Sequence, residues 1–547
     1  MEEEKNTFNK KILIIGGGVA GLTAGIYGQK AGLQTIIYEK NSWIGGSCSA
    51  WKRNGYTIDN CLHWLTGTHE GSADREMWTE LGVLQDDVPT VKRPYFLASE
   101  ADGVTITLWP DIKRTRQEML LASPEDSDEI NNFLDCVEFF AGLITGGMSA
   151  KELYNSLKNF NDTMNVKRLD FTRHFLRYMG INSIEMAKRF KCRAIQCLFL
   201  DFMAKEYESY WLMLAYSFFI SGNGDLPAGG SFAMAQNLKN TYLNAGGKIV
   251  TNKAVKQILV DHKNKTFRNF GDVISMGVNP KKVLTRHAPA VLFEDGTTET
   301  ADYIIAACDI NFTYKNLLNN KYTPSSLRRL YKHHKRQREV IYSSFQVAFA
   351  VDDLFDCVQD SLGFECIPIQ IGNMIYSRIT VKNYHPYGDF VAPQGKTVIQ
   401  VSVPQYIADY KYWKKLSANP VLYNEIKTET AQRIQKEIVR KFPQYKDRLQ
   451  ILDVWTPYSY RRLNNDYYGA YMRYITSPFS FNAFLSSEIP GLDNVILANH
   501  CLRYPGGLPT AAYTGRDAIE IIKKEEIKKN ARPFLKFPLS FKDDKNK

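Results

Sequence analysis

The sequence predicts an α/β protein: a parallel sheet with crossover helices, built from separated pieces of chain, and a discontinuous α+β domain set into it. Two observations carry this. Residues 11–39 read KILIIGGGVAGLTAGIYGQKAGLQTIIYE, in which an apolar run at 12–15 enters Gly16-x-Gly18-x-x-Gly21, a helix-like stretch follows, and a second apolar run at 35–38 ends on Glu39. Far along the chain, residues 301–307 (ADYIIAA) and 494–498 (NVILA) have the length and composition of buried strands.

Each part of the first unit has a physical task. Gly16 makes the tight turn, and Gly18 lets backbone approach a pyrophosphate with no Cβ in the way. Gly21 lets the helix pack close to the strand, and the helix N-terminus directs its free N–H groups at phosphates. Glu39, about twenty residues on, is placed to accept hydrogen bonds from adenosine ribose hydroxyls. The unit is therefore a Rossmann-like dinucleotide site. NAD and FAD both present that ribose, so Glu39 does not choose between them.

The residues that follow do. Residues 41–47 (NSWIGGS) and 55–59 (GYTID) resemble the extended FAD fingerprint of the amine oxidase and phytoene desaturase superfamily, where a Gly-Gly pair after the acid hugs the cofactor. Residues 494–498 followed by 505–509 (PGGLP), with a helix beginning near Ala511, resemble that family's closing motif. There a glycine-bearing turn and a helix N-terminus face the flavin ring and stabilise negative charge on its reduced form. The segment 227–231 (PAGGS) opens a helix ending at Gly246-Gly247, before strand-like 248–250 and 255–258. Residues 453–457 (DVWTP), with Arg461 and 469–471 (GAY), resemble the stretch before the flavin motif in carotenoid isomerases and retinol saturases.

The resemblance implies FAD held by Gly16, Gly18, Ala20, Gly21, Glu39 and Lys40 in the first unit. Gly45, Gly46 and Ser47 follow, then Val255, and finally Gly506, Gly507 and Leu508. One position departs from the wider flavoprotein pattern. The last strand ends Ala498-Asn499-His500, where many such proteins carry Gly-Asp, so Asn499 does not inherit the aspartate's role.

At 547 residues two lobes are expected. Residues 1–70, 220–325 and 488–525 are assigned to the FAD-binding domain, 71–219 and 326–487 to the substrate domain, and 526–547 to a tail. The hydrophilic stretch 261–289 is expected to be an extended hairpin or surface loop, residues 123–140 and 171–179 helical, and 340–351 and 397–403 strands. Pro124 reads as a first-turn proline behind a Ser123 cap. Hydrophobic residues at 44 % and charged residues at 23 % describe an ordinary globular protein with ample core.

The first residues, MEEEK, lack an apolar segment, so no signal peptide is expected. The most apolar run, 211–220, is about half the length of a spanning helix. Nine scattered cysteines with no C-x-x-C pair argue against a thiol–disulfide reductase centre or a zinc set, and suggest reduced thiols in a cytoplasm. Net charge is +11, concentrated at Arg328-Arg329, 332–338 and the tail from Lys523. No nucleic-acid-binding motif accompanies these runs. They are read as solvated faces, or as a peripheral contact with an anionic membrane leaflet that supplies a lipid substrate.

Residues 59–67 (DNCLHWLTG) should run beside the flavin. His63 is the candidate proton donor or acceptor, since imidazole titrates near neutrality; the alternative is a histidine that braces the pocket. Tyr504, directly before the closing motif, is the second catalytic candidate. Trp64 reads as a pocket wall, His500 as a brace, Cys61 and Cys501 as small buried residues, and Arg461 and Arg462 either as structural ion pairs or as partners of a carboxylate head group. Aromatic-dense patches at 207–219 and 458–481 supply core and part of an apolar tunnel.

No second G-x-G-x-x-G follows a strand, since Gly222-x-Gly224 leads into Asp-Leu-Pro. NAD(P)H, if it is the electron donor, must then enter through the substrate channel; otherwise electrons pass to another acceptor, or the flavin stays reduced without net turnover. The resemblance implies an FAD-dependent oxidoreductase that desaturates, saturates or isomerises carbon–carbon bonds of an apolar polyene, isoprenoid or unsaturated lipid. A flavin amine oxidase shares the fingerprint. A non-catalytic lipid-binding escort of the GDP-dissociation-inhibitor type shares the fold, but the intact glycines argue against it.

Overall fold

The computed structural model describes residues 9–149, 152, 177–178, 180–260, 288–328, 343–472, 485–503 and 506–531. Its first layer is the predicted parallel sheet. Strand β1 (Lys11–Ile15) pairs with β2 (Gln34–Tyr38) on one side and with Tyr303–Ala306 on the other. Lys248–Val250 extends the sheet beyond β2, and Leu492–Leu497 extends it beyond Tyr303–Ala306, all in parallel. Only the edge strand Glu488–Ile489 runs antiparallel. The register Ile12↔Thr35 to Ile15↔Tyr38 brings the end of β2, and with it Glu39, level with the turn that leaves β1. Both faces of β1 are covered, which is why residues 12–15 are apolar without alternation.

Three helices cover the sheet around helix α1 (Val19–Lys30): α1 itself, Gly230–Asn244 and Gly507–Ala531. A Cβ on Gly515 would stand 2.5 Å from the Ala20 carbonyl oxygen, so the C-terminal helix crosses α1 at a distance only glycine permits. That helix begins at Gly507, earlier than the expected start near Ala511. Pro509 falls in its first turn, where a missing N–H costs no helical hydrogen bond.

The second layer is a seven-stranded sheet in the order Leu449–Trp455, Ser343–Val351, Thr397–Gln405, Met374–Asn383, Ser361–Ile371, Ala98–Ala101, Val104–Thr107. It is antiparallel except where Ser361–Ile371 meets Ala98–Ala101. All nine residues of Ser343–Val351 are buried, and the helix Pro420–Lys441 packs on this sheet. A separate layer contains Ser127–Thr145, Arg193–Phe202 and Tyr210–Ile220 around Phe133, Phe140 and Phe199.

The expected strands at 340–351 and 397–403 are Ser343–Val351 and Thr397–Gln405, with 340–342 outside the described residues. Pro124 opens a single 3-10 turn, Pro124–Asp126, ahead of the helix Ser127–Thr145, while the Ser123 hydroxyl donates to the Asp126 carboxylate at 2.7 Å. The expected helix at 171–179 and the stretch 261–289 lie outside the described residues, apart from 177–178 and 288–289. The strands flanking the latter, Val255–Leu259 and Ala290–Phe293, pair antiparallel from Leu259↔Ala290, the arms of a hairpin. Among the described residues no helix is long and apolar enough to cross a membrane.

Candidate flavin and substrate site

One cavity of about 930 Å³ runs from the turn after β1 into the space between the two sheets. Its first half is a groove built from backbone. Gly16 has φ +107°, and its N–H donates to the Tyr38 carbonyl at 2.9 Å, closing the turn. Gly18 caps α1, whose first turn carries no acidic residue and no side-chain cap, so its N–H groups are left to a ligand. A Cβ on Gly21 would lie 2.0 Å from the Gly16 carbonyl oxygen; this glycine lets the helix close onto the turn itself.

At the groove's far end Glu39 is buried and fixed, its Oε2 accepting from the Gly17 N–H and its Oε1 from the Asn41 N–H, both at 2.8 Å. Each oxygen keeps a further acceptor site. The Gly45-Gly46 turn lies on the glycine loop through the Gly45 N–H to the Gly17 carbonyl, 2.8 Å. The Ser47 hydroxyl accepts from Asn464 Nδ2 at 3.1 Å. Lys40 lines the groove, but its ammonium donates to the Arg462 carbonyl at 3.1 Å, and burial lowers its pKa. Ala20, Val255, Gly506, Gly507 and Leu508 also line the cavity, with Gly506 and Gly507 at φ +94° and +80° where the C-terminal helix starts. Tyr504 lies outside the described residues. The uncapped N-terminus of α1, the start of the C-terminal helix, three glycine turns and a buried acceptor at one end form a cradle that fits a flavin dinucleotide.

The second half of the cavity is apolar, walled by Trp64, Phe96, Phe202, Trp211, Phe218 and Met472. Trp64 packs on Phe96 at 5.6 Å between ring centroids and stacks on Phe202 at 6.3 Å, as a wall residue should. Where the halves meet stands a charged group that the sequence did not announce. Asp360 is fully buried and receives Arg93 Nε at 2.8 Å, Arg93 Nη2 at 2.9 Å and Lys382 Nζ at 3.0 Å. Burial would raise its pKa, but the two cations hold it down to about 2. Burial lowers that of Lys382 to about 8, against the opposing pull of Asp360. The Arg93 guanidinium also lies over Trp64, Phe96 and Phe219, 5.2 to 5.9 Å from their centroids.

His63 lines the cavity at this junction, and its carbonyl accepts from the Tyr387 hydroxyl at 3.1 Å. Its titration is displaced from the neutrality on which its sequence-based role rested. Burial first, then Lys382 and Arg93, push it down to about 3, so the ring is neutral throughout the physiological range. The unfolded histidine titrates near 6.5, so between about 6.5 and 3 the unfolded chain binds the extra proton and stability falls as pH drops. His63→Gln is expected to remove this component: denaturant midpoints measured at pH 7 and pH 5 should lie closer together in the variant than in the parent protein.

His500 lines the cavity beside Cys501, with 3.5 Å between its Nε2 and the sulfur. Asn499 is a structural clamp, donating to the Cys308 carbonyl and accepting from the Cys501 N–H. The Arg461 guanidinium donates to the Asn465 carbonyl, and Arg462 is exposed with its carbonyl engaged by Lys40. Both contacts are to backbone carbonyls rather than ion pairs. Among the described residues no cluster of side chains could hold a metal ion.

A family model described as flavin containing amine oxidoreductase matches residues 19–522. The chain is 23 % identical over 546 residues to the 4,4'-diaponeurosporene oxygenase of Staphylococcus aureus strain bovine RF122 / ET3-1, covering 95 % of this chain and 99 % of that one. It is 22 % identical over 561 residues to the oxygenase of the same name from Staphylococcus haemolyticus, covering 95 % and 98 %. Among solved structures it resembles a putrescine oxidase mutant (TM-score 0.58, 13 % identity, 94 % of this chain and 99 % of that chain). It also resembles a CLA-producing fatty acid isomerase from P. acnes (TM-score 0.53, 13 % identity, 95 % and 99 %). At such identities the structural likeness shows the fold alone.

Proposed function

The chain belongs to the family of flavin containing amine oxidoreductases, and on that premise we propose that it is an FAD-dependent oxidoreductase acting on carbon–carbon bonds of an apolar polyene, isoprenoid or unsaturated lipid. The observation that carries this reading is the continuity of the backbone-built groove with a chamber walled by aromatic side chains in a cavity of about 930 Å³. The curated relatives named for a carotenoid and the structural neighbour named for a fatty acid support it. FAD in the groove would supply a two-electron centre able to exchange a hydride with carbon.

The chain's own residues divide the remaining work. Gly16, Gly18, Gly45, Gly46 and the start of the C-terminal helix hold the cofactor, and Glu39 takes its ribose. Trp64, Phe96 and Phe202 exclude water and align an extended apolar chain. Lys382, with its pKa near 8, replaces His63 as the cavity-lining group able to give and take a proton near neutral pH. His63, neutral and edge-on to Trp64, lines the chamber without taking part in proton transfer. Two buried cations beside one carboxylate disfavour a protonated amine in the chamber, which weighs against the amine oxidase alternative.

NAD(P)H, as electron donor, would reach the flavin through the same chamber. We place the protein in the cytoplasm, touching membrane at its periphery where apolar substrate resides. The test is an anaerobic absorption spectrum of purified protein. Flavin bands that respond to a polyene or unsaturated fatty acid, and bleach with NADPH if it is the donor, are expected. Hydrogen peroxide release from amines, with no response to the unsaturated compounds, would overturn the assignment.

A further inference from the structure

The groove has a roof that no motif announced. After the helix Pro457–Asn464 the chain passes over the first unit and is tied down on both sides. On one side Lys40 donates to the Arg462 carbonyl at 3.1 Å, Asn41 Nδ2 to the Leu463 carbonyl at 3.0 Å, and Asn464 Nδ2 to the Ser47 hydroxyl at 3.1 Å. On the other, the Tyr467 N–H approaches Asp309 Oδ2 at 3.4 Å, and Lys315 Nζ donates to the Tyr467 hydroxyl at 2.8 Å. The passage is made in a constrained backbone. Asn465 and Tyr468 have φ +62° and +54°, and a Cβ on Gly469 would stand 1.9 Å from the Pro457 carbonyl oxygen.

At the centre of this strap is Asp466. It is 8 % exposed, it lines the cavity, and its Oδ2 is buried without a hydrogen-bond partner. A buried carboxyl oxygen left unpaired carries a desolvation cost that nothing among the described residues offsets, so its persistence calls for a partner that binds there. The groove beneath carries the glycine loop, the uncapped start of α1 and the Gly45–Ser47 turn, all suited to a diphosphate.

We propose that Asp466 is a cofactor-binding residue, closing the groove from above and donating its carboxyl hydrogen to the diphosphate of the dinucleotide. This rests on the flavin reading above. The charge state fits. Burial first, and the neighbouring carboxyl of Asp309 second, hold Asp466 well above the ordinary carboxylate range, against a hydrogen bond from the Asn464 side chain and the weaker pull of Lys40 and Arg461. An ionised Asp466 would repel a diphosphate, whereas the neutral acid supplies a donor where the glycine loop supplies the others.

The test follows FAD retention in purified holoprotein, read as recovery of free-flavin fluorescence on dilution, together with thermal melting. Asp466→Ala is expected to release FAD about tenfold faster than the parent, the loss of one such hydrogen bond. Asp466→Asn, which keeps a donor in the same shape, is expected to retain FAD within about threefold of the parent rate. Parent-like release by the alanine variant, at unchanged melting temperature, would overturn the proposal. So would an asparagine variant that melts normally but releases FAD as fast as the alanine variant, since the donor role would then be absent. Parent protein that carries no flavin and takes none up would instead refute the flavin reading itself.

Discussion

Protein carrying Gly18→Val is expected to fold, melt close to the parent temperature and come off the column colourless. A Cβ at this position meets nothing nearer than the Gly45 carbonyl oxygen and the Gly46 Cα, both 3.8 Å away, so the protein itself has room for the branch. The space it fills is the groove. Overpacking of this kind costs ~1–3 kcal/mol, or about 5- to 150-fold in cofactor affinity, because neither the turn nor the helix end can retreat. Gly21→Val is the control with the opposite outcome. Its Cβ would fall 2.0 Å from the Gly16 carbonyl, so it should lower the melting temperature as well as the flavin content. The ratio of flavin to protein absorbance and the melting curve separate the two. A yellow, fully loaded Gly18→Val protein would remove the dinucleotide assignment from this turn.

The contrast shows which parts of the site were legible in the sequence. The strand–turn–helix–strand unit is local: its apolar runs, its glycines and Glu39 follow one another within 29 residues, and the register of β1 on β2 delivers them as spaced. The strand at 303–306 and the Val495–Leu497 part of the strand Leu492–Leu497 were readable because a parallel strand buried on both faces leaves a continuous apolar run, whereas Leu492–Asn494, with Asp493 exposed, does not continue that run. Long-range electrostatics left no such trace. Arg93 and Asp360 are 267 residues apart, and Lys382 stands 22 beyond Asp360; each is an isolated charge in an unremarkable segment, and only the seven-stranded sheet brings them together. His63 was located by the motif around it, but its titration is set by burial and by cations the motif does not contain. Asp466 was invisible for the same reason. The strap reaches the groove only because the helix before it docks on Lys40 and Asn41.

Asp360→Asn is expected to be the most destabilising single substitution at the junction, by roughly 3–5 kcal/mol, because it strands two buried cations. Arg93→Met should cost less, since it leaves Asp360 paired with Lys382 at 3.0 Å. The triple variant Arg93→Met, Asp360→Leu, Lys382→Met should recover most of the loss, since a buried ionic group replaced whole by apolar side chains is often neutral or better. Protonation supplies a second signature. The folded pKa of Asp360, about 2, lies below the unfolded value of about 3.9, so its contribution is complete above the unfolded value and is lost as pH falls toward 2. Lys382 runs the other way. Folded near 8 against about 10.4 unfolded, it gives up its proton more readily in the native state, and stability gains as pH rises between those values. In Asp360→Asn the carboxylate that props up the Lys382 pKa is gone, so the gain with pH should begin below 8. Urea denaturation of the parent, the single and the triple variants across that range checks both signatures. A cost for Asp360→Asn under about 1 kcal/mol, with no shift in the pH at which stability rises, would mean that water already reaches and screens the three charges. The dry junction on which Lys382's place in proton transfer depends would then be lost from the mechanism.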